Sequence, residues 1–318
     1  MTATAIREPG PATLRGVKKY VLATRPPFLT AALVPALMGI AAASFSGIDL
    51  NYAWAFLTVL GALLAHAGIN VLNDYYDSLS GTDDLNQERI YPFTGGSRFI
   101  QNGLLTPRQT AIYGAALLGA AAVIGVVLMT VATPRLLWVG LLGLLIGWAY
   151  SAPPLKLNSR GMGELCVGLG FGVLIPVGAD VVQRATFDWL PVLIGVPYGL
   201  LITNLLYINQ FPDRRADEAC GKHHWVVRLG AQRAPWGYVL IAAVSYGWLT
   251  TVALMLEPWL LVGLCALPLS GIAALQLFKF ARTPQQLAPA IRLTILAGMV
   301  LGVLMSLVLF VGASPARE

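Results

Sequence analysis

Charged residues are scarce in this chain: Asp, Glu, Lys and Arg make up 11% of the 318 residues, whereas hydrophobic residues make up 57%. A soluble globular protein carries about a quarter charged residues. The length alone would allow two soluble domains of ordinary size. The fraction of charged residues, however, is too low for the surfaces of soluble domains. The composition therefore excludes an ordinary soluble protein and predicts a polytopic membrane protein.

Cysteine is also rare, and its pattern excludes a sulfur-based framework. The three cysteines are Cys166, Cys220 and Cys265, and no two of them stand at CxxC spacing. Disulfide frameworks and zinc sites need paired cysteines at short, regular spacing. We therefore expect three buried, unreactive thiols, since free cysteine is among the most buried residue types.

Two further features are missing from the chain. It has no basic run or RNA-binding pattern, although its net charge is +6. We therefore expect no nucleic-acid partner and attribute the charge to membrane topology and anionic lipid. The first 27 residues contain scattered charges and no compact apolar core followed by a cleavage site. We expect no cleavable signal peptide, so the first apolar run should serve as the targeting signal.

Long apolar runs recur along the whole chain. A helix needs about 17–25 apolar residues to cross a bilayer, and about nine runs fit or approach that length. In lipid a backbone has to satisfy its own hydrogen bonds, so each run should form a helix. The predicted fold is all-α, a polytopic membrane bundle with helices at 28–47, 53–73, 109–131, 136–150, 161–182, 190–209, 236–256, 258–279 and 289–313.

Basic residues are distributed unevenly between the two ends of these runs. With the N-terminus in the cytoplasm, 18 of the 21 Lys and Arg residues fall on that side or at its boundary, which agrees with the positive-inside rule. We predict an integral protein of the bacterial inner membrane. It has one transmembrane domain at 21–313, tails at 1–20 and 314–318, and long cytoplasmic loops at 74–108 and 210–235.

An acidic cluster stands at the start of each long loop. The clusters consist of Asn70, Asp74 and Asp77, and of Asn209, Asp213 and Asp217. Their spacings, i, i+4, i+7 and i, i+4, i+8, place each set on one face of a helix, and Asn73 is placed to join Asp77. Carboxylates at the edge of hydrocarbon are costly unless they hold a cation or a partner. Two such clusters facing each other predict a site for Mg²⁺ and a diphosphate.

The chemistry of magnesium suits this pattern. Mg²⁺ is usually held by one or two carboxylates together with substrate phosphates and water, and bound ions would make a diphosphate a better leaving group. A single DxxxD pattern is more often an ordinary helix-end charge pair. Two Asn-led copies on the same face of the membrane favour a metal site instead, with ligands Asp74, Asp77, Asp213 and Asp217.

Basic and aromatic residues accompany the acidic clusters. Arg98 follows the first cluster and Lys222 the second, and both residue types suit phosphate binding. Tyr150 ends a predicted span, with Lys156 and Arg160 just beyond it. The Tyr150 ring can stabilise an allylic cation through its face, or the segment can be an interfacial anchor.

Two other polar residues are expected to have structural roles. Arg25 precedes the first span, where a side chain that reaches for the membrane interface is the default interpretation. His66 lies inside the second span, and we expect it to form a hydrogen bond between helices rather than bind a metal.

Together, these segments resemble the UbiA superfamily of intramembrane prenyltransferases. The superfamily pattern has an NxxxDxxD motif, a YxxxPxK segment and a DxxxD motif, which correspond here to residues 70–77, 150–156 and 213–217. The surrounding residues look most like the 1,4-dihydroxy-2-naphthoate polyprenyltransferases of menaquinone synthesis. The chain departs from their pattern at Pro212 and at 223–225.

The resemblance implies nine helices around a central cavity and Mg²⁺-dependent transfer of a polyprenyl group from its diphosphate to an aromatic acceptor, within membrane lipid. The implied catalytic residues are Asp74, Asp77, Asp213, Asp217, Tyr150 and Lys156. The implied substrate-binding residues are Asn70, Asn73, Arg98, Asn209, Lys222 and Arg160. Alternative acceptors are 4-hydroxybenzoate, homogentisate, haem and chlorophyllide. An alternative of another class is a membrane carrier of divalent cations or lipid phosphates.

Overall fold

The computed structural model describes residues 16–313 together with Glu8, Gly10 and Leu14. Within these residues the regular elements are helices. The predicted tail at 314–318 lies outside the described residues, as does the segment before residue 16 apart from those three. A short helix at Val17–Ala23 crosses the predicted tail boundary at residue 20.

Each predicted apolar run corresponds to one helix. The helices are α1 (Val17–Ala23), α2 (Pro26–Phe45), α3 (Tyr52–Ser80), α4 (Thr82–Leu85), α5 (Pro107–Val131), α6 (Leu136–Ser151), α7 (Gly163–Arg184), α8 (Leu190–Ala219), α9 (Trp225–Met255), α10 (Pro258–Phe280) and α11 (Ala288–Gly312). Among the described residues, eight of these are long and apolar enough to cross a membrane, and α6 is a shorter apolar helix. The prediction of an all-α membrane bundle is confirmed.

Two of the helices extend well beyond the predicted apolar runs. α3 continues from residue 73 to Ser80, and α8 continues from residue 209 to Ala219. Hydropathy falls at these points because Asn and Asp appear, but those side chains lower hydropathy without breaking the backbone pattern. α3 ends only at Gly81, whose left-handed conformation (φ 76°) is typical of a helix C-terminus. The acidic clusters therefore lie on helices.

α9 begins eleven residues before its predicted span. The His224 side chain caps its first turn by accepting a hydrogen bond from the Val227 backbone N–H. Gly230 then interrupts the helical backbone with φ 69° and ψ 162°, so residues 225–229 form a separate first turn. The hydropathy pattern located the long apolar part of α9 and missed this polar turn.

The packed core lies on one side of the bundle, around α2 and α8. Met38, Tyr198, Leu249, Leu301 and Met305 belong to one buried apolar cluster there. Of the membrane-spanning helices, α8 is the most buried and α5 the least. α3, α5 and α6 thus form a thinner wall on the other side, and the main cavity lies between that wall and α7 and α8.

Small residues allow α7 and α8 to cross closely. A Cβ atom on Gly199 would lie 2.5 Å from the Gly172 Cα and 2.8 Å from the Gly168 carbonyl oxygen. Backbone atoms cannot move aside as a flexible side chain can, so no larger residue fits. This close approach is typical of helix packing in membranes.

We expect Gly199→Ala to lower the free energy of unfolding by about 1–3 kcal/mol, because an added methyl would overpack the α7–α8 crossing. The unfolding midpoint in one detergent should fall. Gly119→Ala on α5 is the control, since a Cβ there would meet no atom within 4 Å. Equal midpoints for the two variants would show that the crossing tolerates a side chain.

The three cysteines are free, as expected, but they are not all buried. Cys166 is buried, Cys220 is half-buried and Cys265 is exposed. Cys265 lies in the 3₁₀ segment Pro258–Ala266 at the start of α10. The expectation of a buried thiol is therefore wrong at Cys265.

Candidate active site

A cavity of about 660 Å³ opens at a polar end formed by the ends of α3 and α8 and continues between apolar helix surfaces. This volume is within the range of small-molecule sites in proteins. Its polar end is lined by Asn70, Asn73, Asp77, Asn209, Asp213, Asp217 and Lys222, among others. The structure thus brings most of the predicted site residues together in one place.

Lys222 connects the two acidic clusters directly. Its Nζ lies 2.7 Å from Asp77 Oδ1 on α3 and 3.1 Å from Asp217 Oδ1 on α8. Burial acts to lower the pKa of Lys222, but the two carboxylates outweigh that effect and hold the pKa above its ordinary value. Carboxylates more than a hundred residues apart in sequence therefore share one charged partner.

The loop between α4 and α5 donates hydrogen bonds to Asp213 of the second cluster. The Asn86 side-chain amide donates to Asp213 Oδ1 at 2.6 Å, and the Gly95 N–H donates to Asp213 Oδ2 at 3.3 Å. Gly95 and Gly96 both have positive φ, near 72°. A Cβ on Gly96 would lie 2.9 Å from the Asp83 carboxylate, so this loop approaches the acidic residues closely because it contains glycine.

Asp74 is directed away from the cavity. It is buried, accepts hydrogen bonds from the Ser97 N–H and forms an ion pair with Arg25. Of the first cluster, Asn70, Asn73 and Asp77 line the cavity. Asp74 instead ties α3 to the loop and to the residue that precedes α2.

The interpretation of Arg25 as an interfacial anchor is wrong. Its backbone is left-handed, with φ 55° and ψ 64°, and the side chain lies against Asp74 and lines the cavity. Burial acts to lower the pKa of Arg25, while the carboxylates of Asp74 and Asp83 raise it, with a net increase. The partner is 49 residues away in sequence, so the neighbouring residues gave no indication of this contact.

Three predicted basic residues do not line the cavity. The buried Arg98 guanidinium donates to the backbone carbonyl of Asp83, which links the α4–α5 loop to α4. Lys156 is exposed, and its left-handed backbone lies two residues after Pro154. Arg160 is also exposed and donates to the Pro154 carbonyl at 2.9 Å. Tyr150, by contrast, lines the cavity at the end of α6.

His224 lies next to the second cluster, at a position where the chain departs from the family pattern. Its Nε2 is 3.1 Å from Asp217 Oδ2. Together with Lys222 it fixes both oxygens of that carboxylate. Neither His224 nor Asn86 was among the predicted site residues, because Asn86 lies in a loop without a motif and His224 lies where the chain departs from the family pattern.

Negative charge exceeds positive charge around this site. Asp83 is buried close to Asp77 and Asp74, and the burial and those two carboxylates raise its pKa to about 8. Asp83 Oδ2, Asn86 Oδ1 and Asn209 Oδ1 are buried oxygens without hydrogen-bond partners. An excess of carboxylates with unpartnered oxygens is the type of donor set that suits a hard cation such as Mg²⁺.

Within the described part of the chain, no three His, Cys, Asp or Glu side chains lie close enough together to form a metal site. The acidic residues stand instead on opposite sides of the cavity mouth. Such an arrangement fits Mg²⁺ that is held jointly by carboxylates and the phosphates of a substrate.

Comparisons with known proteins agree with these features. The UbiA prenyltransferase family matches residues 32–296. A 1,4-dihydroxy-2-naphthoate octaprenyltransferase of Mycobacterium tuberculosis is 32% identical over 283 residues, which cover 89% of this chain and 93% of the relative. A protein of the same description from Bacillus subtilis is 26% identical and covers 91% of both chains.

Solved structures have the same fold. A UbiA homologue from Archaeoglobus fulgidus bound to GPP and Mg²⁺ superposes with a TM-score of 0.57 at 18% identity, covering 91% of this chain and 99% of that one. The family match spans most of the chain, and the bundle and its polar cavity mouth are those of an integral multi-pass membrane protein. This chain belongs to the UbiA prenyltransferase family and is a prenyltransferase.

Proposed function

We propose that this protein transfers a polyprenyl group from its allylic diphosphate to 1,4-dihydroxy-2-naphthoate, as in menaquinone synthesis. The observation that carries the proposal is the position of Lys222, whose Nζ contacts carboxylates of both acidic clusters. A diphosphate at this position would lie between α3 and α8. The relatives described as naphthoate octaprenyltransferases support the choice of acceptor.

The proposed metal ligands are Asp77, Asp213 and Asp217, which line the cavity, with the buried oxygens of Asn209 and Asn86 nearby. Asp74, predicted from the sequence as a fourth ligand, does not line the cavity. Bound Mg²⁺ would neutralise the charge that develops on the diphosphate as it leaves. Lys222 and Arg25 line the same cavity end and supply further positive charge to the phosphate oxygens. Asp74 acts from behind the cavity wall, through Arg25 and the loop at Ser97.

The cavity suits the other half of the reaction. The C1–O bond of the prenyl diphosphate breaks, and its electron pair leaves with the diphosphate. The ring of Tyr150 lines the same cavity as the acidic clusters and can stabilise the allylic cation through its face. The aromatic carbon that bears the acceptor carboxyl then forms a bond to C1, and the carboxyl leaves as CO₂. Apolar walls protect the cation from water.

The orientation and extent of the functional unit are part of the proposal. We propose that residues 21–313 act as one transmembrane domain in the bacterial inner membrane, with the N-terminus and the site in the cytoplasm. The distribution of Lys and Arg supports this orientation. A water-soluble acceptor and a membrane-anchored donor would then meet at the cytoplasmic cavity mouth.

We expect purified protein in lipid nanodiscs to prenylate 1,4-dihydroxy-2-naphthoate in the presence of Mg²⁺, and EDTA to stop the reaction. Mass spectrometry should find a product that has gained the prenyl group and lost CO₂. The parallel acceptors are 4-hydroxybenzoate and homogentisate, each with the same geranylgeranyl or longer diphosphate. Faster prenylation of either would overturn the proposed acceptor, and no prenylation of any aromatic would overturn the proposed reaction.

A further inference from the structure

One polar side chain lies deep in the apolar part of the cavity. His66 on α3 lines the cavity among Ile69, Leu144 and Leu174. Its Nδ1 is buried and has no hydrogen-bond partner. The expectation that His66 joins two helices by a hydrogen bond is therefore wrong. An imidazole nitrogen left unpaired in an apolar site is costly unless a ligand supplies the missing partner.

The imidazole ring is held in place by an aromatic neighbour. His66 and Phe171 meet edge to face, with ring centroids 4.9 Å apart and an interplanar angle of 68°. Phe171 lies in the π-helical turn Gly170–Leu174 within α7. Such turns are rare and frequently occur at functional sites. The same turn contains Gly172, which packs against Gly199 of α8, so the backbone that carries Phe171 is closely confined.

His66 lies at a defined depth below the diphosphate site. His66, Asn70, Asn73 and Asp77 follow i, i+4, i+7 and i+11 spacing, which places them on one helix face, and all four line the cavity. At 1.5 Å per residue, His66 is about 6 Å below Asn70 and about 16 Å below Asp77 along α3. If the reacting carbon of an aromatic acceptor lies at the same depth as Asn70, the far edge of the acceptor ring extends towards His66.

We infer that His66 and Phe171 form the binding site for the aromatic acceptor, with a ring hydroxyl hydrogen-bonded to the His66 imidazole. The inference rests on the proposed function and extends it to the residues that select the acceptor. Of the two substrates, the prenyl chain below its diphosphate is hydrocarbon and offers no partner to an imidazole. The acceptor carries hydroxyl groups, and each can donate to or accept from a neutral imidazole. Phe171 then packs against the acceptor ring.

The test compares His66→Leu, His66→Gln and wild type in nanodiscs, with 1,4-dihydroxy-2-naphthoate and geranylgeranyl diphosphate under anaerobic conditions. We expect His66→Leu to raise the KM for the naphthoate about tenfold or more, as loss of a buried hydrogen bond predicts. The KM for the diphosphate should stay within about twofold. His66→Gln should recover part of the loss, because its amide can still form the bond.

Two controls separate a hydrogen bond from a packing effect. Thr58→Val changes another cavity-lining residue of α3 whose hydroxyl already donates to the Trp54 carbonyl, so neither KM should change. Each of the two mono-O-methyl ethers of the naphthoate blocks one ring hydroxyl. We expect one of these ethers to bind wild type more weakly than the naphthoate does, but to bind His66→Leu about as well as the naphthoate does. Such non-additivity is the signature of a direct contact.

The outcomes also separate this inference from the proposed function. If wild type prenylates the naphthoate but His66→Leu leaves its KM unchanged, or changes the KM for the diphosphate instead, the acceptor site is elsewhere. If wild type prenylates no naphthoate, the proposed function itself fails. Binding of geranylgeranyl diphosphate to each variant, measured directly by titration, confirms that the folded site is intact.

Discussion

Asp213→Asn is expected to lower the rate of Mg²⁺-dependent prenyl transfer by about a thousandfold, since a metal ion contributes several kcal/mol of charge stabilisation. Asp213 lines the cavity mouth and accepts hydrogen bonds from Asn86 and Gly95. Asparagine keeps the size of the side chain, but its single carbonyl oxygen can accept from only one of those two donors, which bond to different oxygens of Asp213. The loss should therefore reflect the missing charge together with one hydrogen bond to the loop.

The measurement is kcat at saturating substrates, together with titration of Mg²⁺ in the presence of a non-hydrolysable diphosphate analogue. Asp84→Asn is the matched control, because Asp84 is in the neighbouring α4 but is exposed. It should retain wild-type turnover. Activity of Asp213→Asn within about threefold of wild type would rule out the proposed role of the second acidic cluster in binding Mg²⁺.

Lys222→Met is expected to lower both activity and stability, because it leaves two buried carboxylates without their shared partner. Breaking a buried ion pair from one side costs about 3–5 kcal/mol, and the side chains of Lys222, Asp77 and Asp217 are each less than a fifth exposed. The unfolding midpoint measured in EDTA should fall. Mg²⁺ should raise the midpoint more in Lys222→Met than in wild type, since the ion can replace the missing positive charge.

Thermal unfolding in detergent, with EDTA and with Mg²⁺, tests this expectation. Lys222→Arg retains the charge and should be the milder variant, while Lys279→Met removes an exposed lysine from the end of α10 and should change neither midpoint. An equal Mg²⁺ response in wild type and Lys222→Met would mean that the ion does not bind between Asp77 and Asp217.

Hydropathy predicted the helices well because the apolar runs of a membrane bundle are separated by short polar segments. α6 (Leu136–Ser151) and α5 (Pro107–Val131) end within two residues of their predicted limits. The method failed where a helix becomes polar but continues, as α3 does to Ser80. Helix ends at the site depend on side chains that face a cavity, which hydropathy does not distinguish from a loop.

The site was predictable where a motif lies on one helix and not where the contact comes from a loop. The spacing of Asp213 and Asp217 on α8 gave their shared face, and both line the cavity. Asp74 has the same kind of spacing but turns towards Arg25 and Ser97, because the loop approaches α3 from that side. Lys156 belongs to the YxxxPxK segment and is still exposed, since the turn after the prolines determines its direction.

α6 is shorter than the other membrane helices, and it carries Tyr150 at its end. Its 16 residues span about 24 Å, whereas the hydrocarbon core of a typical bilayer is about 30 Å thick. Such hydrophobic mismatch is relieved by local thinning of the bilayer or by adjustment of the short helix. The acyl-chain length of the lipid therefore affects the position of α6, which carries Tyr150. In this way the surrounding bilayer helps to determine the shape of the cavity.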